Sequence, residues 1–351
     1  MHMADALLSP AVAGTMYVAS AAVAGLSIYK LKKEEKLTSE PTFKRLPTMA
    51  VMSALVFAGQ MINYTIPGTG SSGHICGGML LTALLGPYAG FLSMITVLLI
   101  QCLFFADGGL MALGSNIWNM AFYGCFVGYF LIYRPIMKTK INTKVKLILA
   151  SVLGCIITLQ MGAFSVVLET SLSGITELPF KSFVMLMQPI HLAIGLVEGL
   201  ATSAVLVFVH STSPDLIKGT EKEENKKSSL KVTIAVLLAC VVVIGGGFSL
   251  LASGNPDGLE WALFGNTEYS ESRTNMGLDE EDYGTSSKVA DTAGSIQEKT
   301  SFLPDYAFSS DSENPLGTTV SGVVGSAIVA VIAIGICFAG GFFRKKNKKT
   351  T

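Results

Sequence analysis

The stretch ICGGMLLTALLGPYAGFLSMITVLLIQCLFFA, residues 75–106, decides the fold. A membrane helix needs about 20 apolar residues to cross the hydrocarbon core, and this run is overlong for one crossing. Gly86-Pro87 stands in its middle. The pair reads as a tight turn between two helices, 75–87 and 88–106, although Gly and Pro also occur inside membrane helices. The charges elsewhere choose between one helix and two.

Further apolar blocks lie near 9–29, 47–66, 109–133, 146–170, 184–210, 231–252 and 319–343, and each reads as a membrane helix. Half of the residues are apolar, only 14% are charged, and the mean hydropathy is +0.53. Soluble domains carry about a quarter charged residues, so the composition itself points to a bilayer. Basic residues collect in four places. Lys30, Lys32, Lys33, Lys36, Lys44 and Arg45 follow the first block; Arg134, Lys138, Lys140, Lys144 and Lys146 follow the fifth. Lys218, Lys222, Lys226, Lys227 and Lys231 follow the seventh, and Arg344, Lys345, Lys346, Lys348 and Lys349 close the chain. These are 21 of the 25 basic residues, the exceptions being Lys181, Arg273, Lys288 and Lys299. With 75–106 split, nine crossings put all four clusters on one side, which the positive-inside rule makes the cytoplasm. With one helix there, the later clusters would change sides. The expectation is an all-α, multi-pass protein of a prokaryotic plasma membrane with its N-terminus outside and its C-terminus cytoplasmic. The overall charge is balanced, and no nucleic-acid partner is expected.

That topology places Met1, His2 and the loop 63–74 on the outer side. A free α-amine followed by histidine is a chelating unit: the amine nitrogen, the deprotonated His2 amide and a ring nitrogen close two fused rings around one ion. Three nitrogens then lie in a plane, and a fourth would complete a square, the geometry of Ni(II) or Cu(II). His74, in Gly70-Ser71-Ser72-Gly73-His74, is the candidate fourth donor. No basic region precedes the first apolar block and no clear small-residue cleavage site follows it, so the start is not expected to be a signal peptide. The six cysteines lack paired metal-ligand spacing and read as packing residues; Cys76 alone lies near a candidate ligand.

Residues 211–230 are polar and mixed in charge and read as a solvated cytoplasmic linker. They divide a seven-helix unit, 1–210, from a unit 231–351 that forms a two-helix transmembrane hairpin with a long external loop, 253–318. The loop carries thirteen acidic residues against three basic ones. It reads equally as a device that concentrates cations and as a soluble spacer, with disorder expected around Asp279-Glu280-Glu281-Asp282.

The opening Met1-His2-Met3-Ala4-Asp5-Ala6-Leu7-Leu8-Ser9-Pro10 resembles that of the NikM/CbiM family, the nickel and cobalt capture components of energy-coupling-factor transporters, which begin Met-His-Ile-Pro-Asp-Gly. Ala4 and Ala6 depart from that pattern and could loosen the tail's turn. The resemblance continues through Ser71-Ser72-Gly73-His74, Gly77-Gly78, Leu85-Gly86-Pro87, Gln101, Phe104-Phe105-Ala106-Asp107-Gly108-Gly109, Ala112-Leu113-Gly114-Ser115-Asn116, Asn119-Met120, His191, Gly195 and Glu198-Gly199. Pro256-Asp257-Gly258-Leu259-Glu260 and Leu303-Pro304-Asp305-Tyr306-Ala307-Phe308 are similar to the PDGLE domain linked to the small partner subunit of these transporters. The resemblance implies a fusion of capture and accessory subunits. It also implies a metal held by the Met1 amine, the His2 amide and ring and His74, and work with a transmembrane coupling subunit and two ATP-binding subunits.

Asp5, Asn63, Ser72, Asn116 and Asn119 are candidates to support the ligands, with backbone turn roles as the alternative. His191 and Glu198, seven residues apart on one helix face, read slightly better as a packing network than as ligands. Asp107-Gly108-Gly109 reads as an external turn that shapes the mouth of the site or is simply a turn. No Gly-x-x-x-x-Gly-Lys-Ser/Thr sequence is present, so ATP hydrolysis would come from partners. No His-Glu-x-x-His motif supports a membrane metalloenzyme, and no internal repeat supports an ion-coupled carrier. The reading is a non-enzymatic membrane subunit with no cofactor that captures Ni(II), with Co(II) for cobalamin synthesis as the alternative.

Overall fold

The computed structural model describes residues 1–38, 46–175, 177–220, 229–266, 278, 283–308, 311, 314 and 316–347. Among the described residues, the regular structure is helical apart from one two-stranded hairpin. The helices are α1 (Pro10–Thr38), α2 (Leu46–Gln60), α3 (Gly78–Leu85), α4 (Pro87–Phe105), α5 (Leu113–Met137), α6 (Thr143–Leu172), α7 (Phe180–Thr212), α8 (Leu230–Gly246), α9 (Gly258–Phe264), α10 (Lys288–Thr300) and α11 (Leu316–Asn347). Within α5, residues Ile117–Tyr133 wind as a π-helix. Strands β1 (Tyr64–Ile66) and β2 (Ser71–Gly73) pair antiparallel, with Tyr64 opposite Gly73.

Residues 75–106 do split. Gly86 takes φ 85°, a backbone state natural only to glycine, and Pro87 begins α4. The expected helix 75–87 is nevertheless shorter: α3 has eight residues, about 12 Å at 1.5 Å per residue, and non-helical backbone over 75–77 makes up part of the path from His74 to the Lys218 end of the molecule. The cause lies at its start. The Glu198 carboxylate accepts the backbone N–H groups of Cys76 (2.7 Å) and Gly77 (2.9 Å), and Gln60 Nε2 donates to the Cys76 carbonyl (2.7 Å). Residues 75–77 are thus pinned as non-helical backbone in protein surroundings, where membrane-depth irregularity is tolerated. The 47–66 block likewise ends its helix at Gln60 and continues as β1.

Among the described residues, α1, α4, α5, α6, α7 and α11 are long and apolar enough to cross a membrane, with α2 and α8 as shorter apolar helices. Absent side chains let them approach closely. A Cβ on Gly78 would lie 3.2 Å from the Gly124 Cα, and one on Gly199 would lie 2.6 Å from the Val152 Cα. Such contacts take the place of a hydrophobic driving force between helices in lipid.

The C-terminal helices do not stand apart. Helices α8 and α11 pack on each other and on α2, and α11 also reaches α4. In the expected linker, Ser213, Pro214 and Ile217 are buried, and Lys218 N donates to the Ala83 carbonyl at 2.9 Å. Residues 221–228 lie outside the described residues. The external loop also folds down. Gln297 Nε2 donates to the carbonyls of Cys102 (2.9 Å) and Gly108 (2.7 Å), Thr285 N to Ala6 O (2.8 Å) and Phe302 N to Phe104 O (3.2 Å). Of the two readings of this loop, these anchors do not suit a plain soluble spacer wherever the loop is described; Asp279-Glu280-Glu281-Asp282, the stretch of expected disorder, lies outside the described residues.

Candidate metal centre

The first eight residues form a buried tail rather than a solvent arm. Met1, Met3, Leu7 and Leu8 are all in the core, Met3 and Leu8 with no exposed surface. A buried tail must satisfy its backbone polar groups, and α5 with the turn before it does so. Met3 N donates to Asn116 Oδ1 (2.7 Å), while Asn116 Nδ2 and Gly109 N donate to Met3 O (3.2 and 2.9 Å). Asp5 Oδ1 accepts Ala112 N at 2.9 Å. Burial raises the Asp5 pKa, against the lowering effect of the N–H groups of Ala112 and Met111. Asn119 Nδ2 donates to Glu169 Oε2 (3.1 Å) and touches Met3 Sδ (3.6 Å). Asn116, Asn119 and Asp5 therefore all hold the tail.

The tail brings its two N-terminal residues to His74. The His2 and His74 rings stack, with centroids 5.3 Å apart and planes 24° apart. His74 reaches this place because β2 ends at Gly73, which packs so closely on α7 that a Cβ there would lie 2.5 Å from Ile194 Cδ1. His74 Nδ1 pairs with the Ile75 carbonyl at 3.1 Å, so the proton belongs on Nδ1 and Nε2 carries the lone pair. His2 Nδ1 is 3.0 Å from Asp107 Oδ1, and its buried Nε2 has no hydrogen-bond partner. Tyr306 Oη donates a hydrogen bond to the other Asp107 oxygen. Burial, helped by the charge of the Met1 amine, lowers His2 to about 3 and His74 to about 4. Both rings are neutral near pH 7, the state a metal ligand requires.

The Met1 ammonium meets Asp257 Oδ2 at 3.0 Å. Asp257 comes from the far end of the chain. It precedes α9 and caps it, its Oδ1 accepting the N–H groups of Leu259 (2.8 Å) and Glu260 (2.9 Å), while Glu260 Oε2 accepts the Asp257 N–H (3.1 Å). This reciprocal capping box leaves Oδ2 for Met1. Burial alone would raise Asp257, but the Met1 ammonium outweighs it and holds the group well below the usual carboxylate range. The Asp257 charge, with burial, pushes Glu260 up to about 7. The segment is laid against the hairpin by Ser72, whose N donates to Pro256 O (2.8 Å) and whose Oγ donates to Asn255 O (2.7 Å). Asn63 acts through its backbone, its carbonyl accepting Ser253 N at 2.7 Å. Ser72 and Asn63 thus position the C-terminal segment; neither is seen to bond a histidine.

Met1, His74, Cys76, His191 and Asp257 line one small cavity. His191 is buried, its Nδ1 pairs with the Met187 carbonyl at 2.8 Å, and its Nε2 has no partner. Glu198 points instead at the start of α3, as described above. Among the described residues, no group of three His, Cys, Asp or Glu side chains could hold a metal. A site here has to draw on backbone nitrogen, as an amine–amide–imidazole chelate does. The amino-acid sequence does not mark Asp257 and Glu260 as neighbours of the site. Their pattern, Asp-x-x-Glu, signals a helix cap, but nothing local signals contact with residue 1.

Comparison with known proteins agrees with this architecture. Residues 2–216 match the family CbiM, "Cobalt uptake substrate-specific transmembrane region", and residues 231–340 match the PDGLE domain. The chain is 35% identical to the "Putative fused nickel transport protein NikMN" of Archaeoglobus fulgidus over 96% of its own length and 98% of that protein. It is 29% identical to the "Cobalt transport protein CbiM" of Sorangium cellulosum over 62% and 94% of the two chains. A crystal structure of a truncated transition metal transporter superposes with a TM-score of 0.51 at 32% identity, covering 60% of this chain and 98% of that one. The chain belongs to the CbiM family of nickel and cobalt transport proteins, in the fused form that carries a PDGLE domain behind the metal-transport region.

Proposed function

We propose that this chain is the capture subunit of an ATP-driven, energy-coupling-factor uptake system. Residues 1–210 take a metal ion on the outer face, 211–230 join the modules and 231–351 act as the accessory module. The ion is held by the Met1 amine, the His2 amide and Nδ1, and His74 Nε2. Nδ1 is the His2 nitrogen that closes a six-membered ring with its own amide. Four nitrogens in a plane favour Ni(II); Co(II) is the alternative. Partner subunits supply the coupling helices and the ATPase.

One observation carries the reading: residues 1, 2 and 74 meet in a buried setting, with the two imidazoles stacked and neutral. The basic clusters support placement of this end outside. Metal capture then requires Met1 to leave Asp257 and His2 Nδ1 to leave Asp107, and it releases the protons of the ammonium and the amide.

The test is His2→Ala, with Ni(II) binding measured on purified full-length protein. The change removes the ring nitrogen that closes the six-membered chelate ring, so affinity collapses while the helical content and melting temperature hold. Unchanged affinity overturns the ligand set. Competition between Ni(II) and Co(II) on the unaltered protein ranks the two ions.

A further inference from the structure

A larger, solvent-connected cleft lies beside the small cavity, and Asp257 lines both. Its walls come from both ends of the chain. His2 and Asp107 come from the metal-transport region; Asp257, Glu260 and Asp305 come from the C-terminal domain. Among the described residues, its lining contains no lysine or arginine. Asp5 also lines it.

Acidic side chains alone do not make a cation path, because many serve only as caps and turn residues. The second observation is His2. Its side chain is only 7% exposed, its Nδ1 is committed to Asp107, and its buried Nε2 has no partner. His2 itself lines the cleft, and a Cβ on Gly108, another lining residue, would sit 3.2 Å from the His2 Cβ and 3.6 Å from its Cδ2. The cleft therefore reaches the His2 side chain, whose Nε2 is unbonded, and shares Asp257 with the cavity that Met1 and His74 line.

We infer that this cleft is the loading vestibule for a hydrated divalent cation, and that the C-terminal domain builds its outer wall with Glu260 and Asp305. The inference rests on the capture reading above and adds to it a role for the PDGLE domain. A narrow passage walled by one sign of charge in low-dielectric surroundings focuses the field and raises the local concentration of counter-ions. The carboxylates attract the ion with its water shell still on, and His2 offers the first inner contact. The final nitrogen ligands then displace water deeper in. On this view Glu260 and Asp305 are steering residues, not ligands.

The test is the rate of Ni(II) transfer from a chromogenic indicator to the full-length protein in rapid mixing at pH 8, where Glu260 is ionised, at low and high ionic strength. The variant is the double change Glu260→Gln and Asp305→Asn. Gln can still accept the Asp257 N–H of the cap, and Asn tolerates the positive φ of position 305 (51°). The expected association rate falls about tenfold at low salt, the lower end of field-steered enhancements, and the deficit closes at high salt as screening shortens the field. Asp291→Asn, outside the wall, leaves the rate unchanged. An unchanged rate in the double variant, or a deficit that salt does not close, overturns the vestibule while leaving capture by Met1, His2 and His74 standing. If the unaltered protein takes up no Ni(II), the capture reading fails and the vestibule with it.

Discussion

Met1 and Asp257 are separated by 256 positions, yet the α-ammonium of one lies 3.0 Å from the carboxylate of the other. Their side chains are 5% and 17% exposed, so the pair is shielded from water. The first residue of the metal-transport region is therefore held by the PDGLE domain. Removing one partner of a buried pair leaves an uncompensated charge, which costs far more than the pair itself is worth.

Asp257→Asn isolates that charge, because asparagine is as good a helix N-cap as aspartate and α9 keeps its start. The expected result is a loss of about 3 kcal/mol in the docking of the tail, the lower end for breaking a buried pair. Amide hydrogen exchange over residues 1–8 would read this as reduced protection, with α9 unchanged. Equal protection in the variant would show that the pair does not anchor the tail.

The docked tail is also expected to respond to acid. His2 and His74 titrate at about 3 and 4 when folded, against about 6.5 when free. The folded state thus binds fewer protons, and its stabilisation is complete above pH 6.5 and lost as pH falls toward 4. Glu260 acts in the opposite sense. Its folded value of about 7 exceeds the free value of about 4.3, so its contribution is complete below pH 4.3 and fades as pH rises through 7. Exchange protection of the tail measured from pH 4 to pH 8 should fall on the acid side in both the parent and Glu260→Gln. The weakening near neutrality should vanish in the variant. Flat acid-side protection would contradict neutral burial of the stacked rings.

The spanning helices were legible because apolar blocks and basic clusters report directly on the bilayer. The Gly86-Pro87 turn was legible because its two residues have single-valued backbone habits. The length of α3 was not, since side chains remote in sequence, Gln60 and Glu198, decide where that helix begins. The same holds at the site. The chelating chemistry of Met1-His2 is local and could be read from two letters, and family resemblance pointed to His74. Asp257 already has a complete local explanation as a helix cap; only the packing of the external loop on the hairpin at Ser72 turns its second oxygen toward Met1.

The closest packing around the tail gives the sharpest structural test. Gly109 has an ordinary φ and donates its N–H to Met3 O at 2.9 Å. A Cβ on it would lie 2.5 Å from both the Asp5 Cγ and the Asp5 backbone nitrogen. No rotamer of Asp5 relieves the second contact, because backbone cannot swing away as a side-chain end can. Gly109→Ala should therefore displace the 3₁₀ turn Asp5–Leu7, break the Asp5 bond to Ala112 and carry His2 away from His74. Overpacking in a core typically costs about 1–3 kcal/mol, spent here on the tail instead of the helices. Gly14→Ala in α1, where a Cβ meets nothing within 4 Å, is the matched control and should bind Ni(II) like the parent. The measurement is Ni(II) affinity alongside the melting temperature of both variants. Loss of binding in Gly109→Ala at an unchanged melting temperature would tie the metal centre to the seating of the tail; parental binding in both would break that tie.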